Sequence, residues 1–163
     1  MAYADSEDKQ RGIAREPFVA QRILDYHKRI GMKVTMEHSS LLEDMREKID
    51  YRFKCDERQS FSRNEKITEI TVDIKCGKTF TLYDTKGRNT LDNAKSRFIV
   101  FEIEENCENL IWINTERLKE CLKRYPTDLR LSKREGNTSK FFYIEPYVKK
   151  NQKFLGNFVK YIK

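Results

Sequence analysis

Apolar and polar residues alternate strictly in two neighbouring parts of the chain. Between positions 67 and 76, apolar side chains occupy every second position: Ile70, Val72, Ile74 and Cys76. A period of two is typical of a strand with one buried face. Positions 48 to 54 alternate in the same way, and a polar stretch containing Ser60 joins the two runs. The pattern therefore predicts an antiparallel hairpin.

Apolar residues at helical spacing predict two helices elsewhere. The first is expected to begin at Pro17, which suits a first turn, and to end near Ile30. Asn114 or Thr115 is expected to cap the second helix, and Pro126 to end it.

Short apolar runs predict further strands at 33–36, 79–83, 97–103, 110–113 and 141–144. The run at 97–103 is the most apolar and should lie at the centre of the sheet, covered on both faces. A group of acids around its end is expected to form a solvated turn: Glu102, Glu104, Glu105 and Glu108. This order of elements predicts an α/β domain, with helices packed on a mixed sheet.

Three segments lack a clear strand pattern. Residues 1–12 are polar and are expected to form a flexible lead-in, so that 13–163 make up a single domain. Within the long polar stretch 84–97, residues 91–96 have helical character. In the tail 149–163, Phe154, Phe158 and Tyr161 favour a helix face that docks on the core over a base-stacking role.

Composition narrows the class of protein. The chain has 163 residues, of which 38% are hydrophobic, enough for the core of one domain. We expect a cytoplasmic protein without a membrane role, because no run approaches the ~20 apolar residues of a membrane helix and none resembles a signal peptide. The four cysteines form no closely spaced pair, which argues against a structural zinc site.

The positive charge is concentrated in the C-terminal third. The net charge is +7, and residues 111–163 contain 13 Lys or Arg against 5 Asp or Glu. Such a region can attract polyanions through phosphate contacts. A solvated surface that keeps the protein in solution is the alternative explanation.

The polar positions of the predicted hairpin carry candidate chemistry. Alternation places Asp73 and Lys75 together on the face opposite the apolar row, and strand pairing should bring Asp50 near Asp73. Two neighbouring carboxylates repel unless a cation lies between them, and Mg²⁺ prefers a few carboxylate oxygens while keeping sites for substrate phosphates. Lys75 could then polarise an attacking water. The competing interpretation is an ordinary cross-strand ion pair at the surface.

At these residues the chain resembles the PD-(D/E)xK nuclease superfamily. The family pattern is an acid at the end of one strand, followed on a hairpin return by Asp or Glu, any residue, and Lys. Asp50 matches the first acid, and Asp73-Ile74-Lys75 matches the second element twenty-three positions later. Ile49 stands where the pattern has Pro, and Asp replaces the commoner Glu. The resemblance covers about residues 16–125.

The resemblance implies a restriction-endonuclease-like fold and a Mg²⁺- or Mn²⁺-dependent endonuclease acting on DNA. Asp50, Asp73 and the backbone carbonyl of Ile74 would bind the metal, and Lys75 would orient the attacking water. Glu16 is the candidate for a further acid, in competition with the downstream acids Glu43, Asp44 and Glu47. Phosphate contacts are expected from a set of basic residues: Arg52, Lys86, Arg88, Lys95 and Arg97. RNA as substrate and a homodimer both stay open.

Two other functions fit the same residues. A non-catalytic nucleic-acid-binding or regulatory module would keep Asp73 and Lys75 as a surface ion pair and would be indifferent to a chelator. A protein-interaction factor would show little salt-dependent affinity for DNA.

Overall fold

The computed structural model describes residues 7–40, 47–134 and 137–163. They contain four α-helices: α1 (Glu7–Arg29), α2 (Thr115–Arg124), α3 (Ile144–Lys150) and α4 (Gln152–Leu155). Nine strands accompany them: β1 (Val34–His38), β2 (Tyr51–Cys55), β3 (Glu69–Cys76), β4 (Thr79–Tyr83), β5 (Phe98–Glu102), β6 (Leu110–Asn114), β7 (Arg130–Arg134), β8 (Asn137–Tyr143) and β9 (Val159–Ile162). None of the helices in this part of the chain combines the length and the apolar character needed to cross a membrane.

Six strands form a mixed sheet in the order β1-β2-β3-β5-β6-β9. Only β3 and β5 run parallel among its pairings, and the other neighbours are antiparallel. The predicted hairpin is confirmed, because β2 pairs with β3 from Tyr51 opposite Val72 to Lys54 opposite Glu69. The predicted mixed sheet with flanking helices is also confirmed.

Helix α1 covers one face of this sheet. Its apolar residues Val19 and Ile23 pack in a buried cluster with Val72 and Ile74 of β3 and with Trp112 of β6. The prediction that β3 has one buried face is therefore confirmed, since its alternate apolar side chains point toward α1. The polar side chains of β3 must project from the opposite face.

The opposite face is covered only over part of its width. Ile99 and Phe101 of β5 and Ile111 of β6 pack there with Leu118 of α2 in a second buried cluster. The same face of β2 and β3 carries polar residues instead, among them Arg52 and Thr71, which oppose each other across the two strands. The sheet thus leaves a polar half-face beside its second core.

A smaller antiparallel sheet has the order β4-β8-β7. Phe80 and Leu82 of β4 and Phe142 of β8 are buried in the second cluster. A turn joins β3 to β4 through Gly77, whose φ of 122° suits glycine. The small sheet therefore begins directly after the strand that carries Asp73 and Lys75.

The first helix begins earlier than predicted. It starts at Glu7 and runs through Pro17, so residues 7–12, assigned to the lead-in, are helical. Contacts with the sheet hold this end of α1: Arg15 forms an ion pair with Glu102, and Cys76 Sγ lies 3.8 Å from the carbonyl oxygen of Gly12. Local sequence does not reveal these contacts, because their partners lie more than sixty residues away.

The predicted helix in the tail is wrong. After α4, a 3₁₀ turn at Gly156–Phe158 leads into β9, which pairs with β6 and places Val159 opposite Ile113. Gly156 has a φ of 49° and ends the helix, and a free edge of β6 accepts the last strand. Residues 91–96 are not helical either, since only a turn at 90–93 is present. The second predicted helix is confirmed, with Asn114 Oδ1 capping α2 through the N–H of Arg117.

Candidate functional site

Asp50 lies immediately before β2 and is only 3% exposed. Its N–H donates to the carbonyl of Val72 at 2.8 Å, and its own carbonyl accepts from the N–H of Ser39 at 2.9 Å. The carboxylate Oδ2 accepts a 2.7 Å hydrogen bond from the N–H of Ile74 on β3. The Asp50 side chain is therefore held against the triplet Asp73-Ile74-Lys75.

Asp73 lies in the middle of β3, between β2 and β5, and is 4% exposed. Its neighbour in the parallel register is Ile99 of β5. Lys75 Nζ lies 3.4 Å from Asp73 Oδ2, and its side chain is 38% exposed. Lys75 thus connects a buried carboxylate to solvent.

The register brings the two acids together. Tyr51 pairs with Val72, so continuing the pairing by one residue places Asp50 opposite Asp73. Side chains directly opposite each other on antiparallel strands have Cβ atoms roughly 5 Å apart. The extended register and the hydrogen bond from the N–H of Ile74 thus bring Asp50 to the strand that carries Asp73 and Lys75.

Alternation predicts that Asp50 and Asp73 are exposed on the polar face of the hairpin, but both side chains are buried. A buried carboxylate loses its hydration, at a cost of several kcal/mol after relaxation unless partners replace the water. Glu102 shows the usual solution: it is 1% exposed and receives two hydrogen bonds from Arg15, at 2.9 and 2.8 Å. Asp50 accepts a hydrogen bond from the N–H of Ile74, and Asp73 is in contact with the partly exposed Lys75. Both buried acids therefore have polar partners.

Glu16 lies on α1, which covers the other face of the sheet from Asp73. Burial raises the pKa of the Tyr51 hydroxyl, and the charges of Glu16 and Asp50 raise it further. Burial likewise raises the pKa of the Cys76 thiol to about 12, with added contributions from Glu102, Glu16 and Asp50. Glu16 and Asp50 therefore act electrostatically on the same two side chains.

The ion pair between Arg15 and Glu102 is the contact that sequence reasoning missed. Glu102 was expected in a solvated turn, but it is buried at the end of β5 and pairs with the residue next to Glu16. Arg15 therefore fixes the turn of α1 that carries Glu16. A possible sequence signal was the position of Glu102 at the end of the most apolar run, where an acid requires a partner.

The basic candidates fall into two groups. Arg52 lies on the polar half-face, 3.2 Å from Glu69, and Arg97 reaches this face through its N–H, which donates to Thr71 Oγ1 at 2.9 Å. The N–H of Lys95 donates to the carbonyl of Glu47 at 2.9 Å, three residues before Asp50. These three residues border the acids.

The other two basic candidates lie elsewhere. Lys86 and Arg88 belong to the turn after β4, where the N–H of each donates to Asp84 Oδ1. Arg88 also pairs with Asp84 Oδ2 at 2.8 Å. The structure therefore groups them with the small sheet and not with the acids.

The set of oxygen donors is small. Within residues 7–40, 47–134 and 137–163, no group of three or more His, Cys, Asp or Glu side chains is placed to hold a metal ion. The site consists of two adjacent carboxylates, with Glu16 nearby on α1. The competing candidates Glu43 and Asp44 lie outside the described residues, and Glu47 is half-buried.

No protein-family model matches the chain, and neither a curated protein nor a solved structure matches it. Functional assignment therefore depends on the geometry of the site.

Proposed function

We propose that this protein is a metal-dependent nuclease that hydrolyses phosphodiester bonds in DNA, on a restriction-endonuclease-like arrangement of its sheet. The observation that carries the proposal is the pair of buried carboxylates, Asp50 and Asp73, contributed by adjacent strands with Lys75 in contact. Two neighbouring carboxylates repel, and a bound divalent cation would relieve the repulsion. The contacts with Lys75 and with the N–H of Ile74 would orient the two acids for such an ion.

The chain order supports the same proposal. Helix α1 precedes the β1–β2–β3 meander, and the connection after β3 returns in β5, parallel to β3. The triplet lies within β3, on the return strand of the hairpin, while Asp50 immediately precedes β2 and does not end a strand as the family pattern has it.

The donor set fits Mg²⁺ or Mn²⁺. Mg²⁺ is commonly bound through one or two carboxylates plus substrate phosphates, so two acids without a third carboxylate are sufficient. Asp50, Asp73 and the backbone carbonyl of Ile74 would hold the ion. When bound, the ion would polarise the phosphodiester and lower the pKa of a nearby water.

The chain's own residues would perform the remaining steps. Lys75 is partly exposed and touches Asp73, so its ammonium can orient the attacking water beside the carboxylates. On the polar half-face, the side chains of Lys54 and Arg97 are exposed and that of Arg52 is partly exposed, so these cations would contact phosphates. DNA lying on this half-face would present its backbone to Lys75, which reaches the buried Asp73.

The proposal is tested by cleavage of supercoiled circular, linear duplex and single-stranded DNA with Mg²⁺, with Mn²⁺ or with EDTA. We expect metal-dependent nicking of the circle, with losses of about 100-fold or more for Asp73→Asn and Lys75→Met. Two exposed residues outside the proposed site give matched controls: Asp92→Asn and Lys28→Met, in the last turn of α1, should retain cleavage to within a few-fold. Circular dichroism verifies that the variants fold.

DNA binding without cleavage under any metal condition would support the non-catalytic module instead. Cleavage that survives both Asp73→Asn and Lys75→Met would place the active site elsewhere and refute the assignment.

A further inference from the structure

The small sheet has an outer face that the proposed active site does not use. Phe80 and Phe142, which pair across β4 and β8, are buried against the core. Side chains alternate along a strand, so the neighbouring Phe141 and Tyr143 project outward. Tyr143 is 40% exposed and Phe141 is half-buried. Two aromatic rings therefore stand on an open sheet face.

The surroundings of these rings are polar and cationic. Arg130 of β7 pairs with Phe141 in the register, and its guanidinium carbon lies 5.1 Å from the centre of the Tyr143 ring. On the other side, Thr81 opposes Phe141 and Thr79 opposes Tyr143. The Phe141 and Tyr143 rings are 6.0 Å apart and inclined at 77°. We call Arg130, Phe141 and Tyr143 the aromatic platform.

The small sheet that carries the aromatic platform is basic. The sequences of β4, β7 and β8 contain four Lys or Arg residues and no Asp or Glu. The register places the exposed Arg130 on the same face as Phe141, whereas Lys133 and Lys140 alternate to the other face, where Lys140 Nζ lies 5.8 Å from the Tyr83 ring centre. Lys86 and Arg88 follow β4 but are bonded to Asp84. The complementarity of the platform to a polyanion therefore depends on Arg130.

We infer that the aromatic platform binds single-stranded DNA, with bases stacking on Phe141 and Tyr143 and a phosphate held by Arg130. Exposed aromatic rings within a basic surface provide this form of binding, because each unpaired base offers a flat π-face. Duplex DNA keeps its bases stacked inside the helix and cannot use the rings in this way. Arg130 contributes a second flat, charged surface beside Tyr143.

The aromatic platform is close to the proposed active site along the chain. Thr79, which pairs with Tyr143, is four positions after Lys75, so the Cα atoms of Lys75 and Thr79 are at most roughly 14 Å apart. That is a span of a few nucleotides. The inference rests on the proposed function for its choice of DNA, and it assigns a single-stranded segment to the substrate of that site.

Fluorescence anisotropy with a labelled oligothymidine of about 20 nucleotides, in EDTA, tests binding without cleavage. We expect Tyr143→Leu and Phe141→Leu each to weaken binding by about 10-fold, in line with the loss of one stacked base. Tyr161→Leu is the matched control, since Tyr161 is similarly exposed but lies on β9 of the large sheet. Arg130→Gln should lower the salt dependence by about one counterion. Melting temperatures establish that all variants are folded.

Several results would overturn the inference. Platform variants that bind oligothymidine as the wild type does would exclude stacking, as would a duplex of equal length that shows the same sensitivity to Tyr143→Leu. Competition by polyglutamate as effective as that by oligothymidine, unaffected by Phe141→Leu, would indicate a surface for acidic proteins. If Asp73→Asn loses cleavage while its binding to oligothymidine still depends on Phe141 and Tyr143, both proposals are supported. If the wild type cleaves DNA but its binding does not depend on these rings, the aromatic platform is refuted and the proposed function is retained.

Discussion

Asp73→Asn removes one of two buried neighbouring charges while keeping the shape of the side chain. Asp73 is 4% exposed, and extending the register places it opposite Asp50. At a separation of about 5 Å and an effective dielectric constant of about 20, two like charges repel by roughly 3 kcal/mol. The substitution also loses the contact with Lys75, which contributes about 1 kcal/mol or less because Lys75 is more than a third exposed.

The variant should therefore be more stable than the wild type when no divalent cation is present. The free energy of unfolding in EDTA is expected to rise by about 1–2 kcal/mol, and Tm by about 2–6 °C. Mg²⁺ should reverse the order, because an ion that binds only the folded wild type stabilises it by mass action. Asp92→Asn, at an exposed position, should leave Tm unchanged in both conditions.

Urea unfolding and calorimetry at low ionic strength, with EDTA or with increasing Mg²⁺, provide the measurement. A loss of more than about 1 kcal/mol for Asp73→Asn in EDTA, together with a wild type indifferent to Mg²⁺, would contradict the reasoning. Asp73 would then be the acid of a structural ion pair, and the proposed metal site would fail with it.

Three other perturbations follow from the structure. Arg15→Met leaves the buried carboxylate of Glu102 without its cation and should lower the free energy of unfolding by about 3 kcal/mol. Adding Glu102→Gln to the same chain should restore part of this loss. Losses that are additive in urea titrations would contradict the reasoning. Burial lowers the pKa of His27, so the unfolded chain binds the proton more readily than the folded protein does. Stability should therefore fall as pH drops below about 6.5, by up to ~1.4 kcal/mol per pH unit. His27→Phe should flatten this dependence in urea titrations at several pH values, and an unchanged slope would exclude His27 as its source. Gly156→Ala should lower the free energy of unfolding by about 1 kcal/mol or more, because Gly156 has a positive φ. Gly12→Ala, within α1, should raise the free energy of unfolding by up to about 1 kcal/mol. Equal melting temperatures for the two variants would refute the conformational argument.

Local pattern was sufficient for much of the fold. The period of two in β2 and β3 identified the hairpin, and it also determined which residues share a face with Asp73. The Asn114 cap and the helical spacing after it identified α2. These predictions succeed because alternation and capping depend on residues that are close in sequence.

The errors have a common cause. The tail has apolar residues at helical spacing, yet β6 offers an edge that β9 occupies, and strand pairing with a distant segment outweighs local spacing. The start of α1 depends on Arg15 finding Glu102, and the two are 87 positions apart. Local sequence carries no information about such partners.

The candidate site divides in the same way. The sequence by itself determined the identities and the shared face of Asp50, Asp73 and Lys75, because hairpin register follows from alternation. Only the tertiary structure decided that both acids are buried, that Glu16 and Asp50 both act on the Tyr51 hydroxyl, and that Lys86 and Arg88 belong to another surface. The physical reason is that burial and electrostatic environment are set by the elements that pack around a strand, and distant parts of the chain supply those elements.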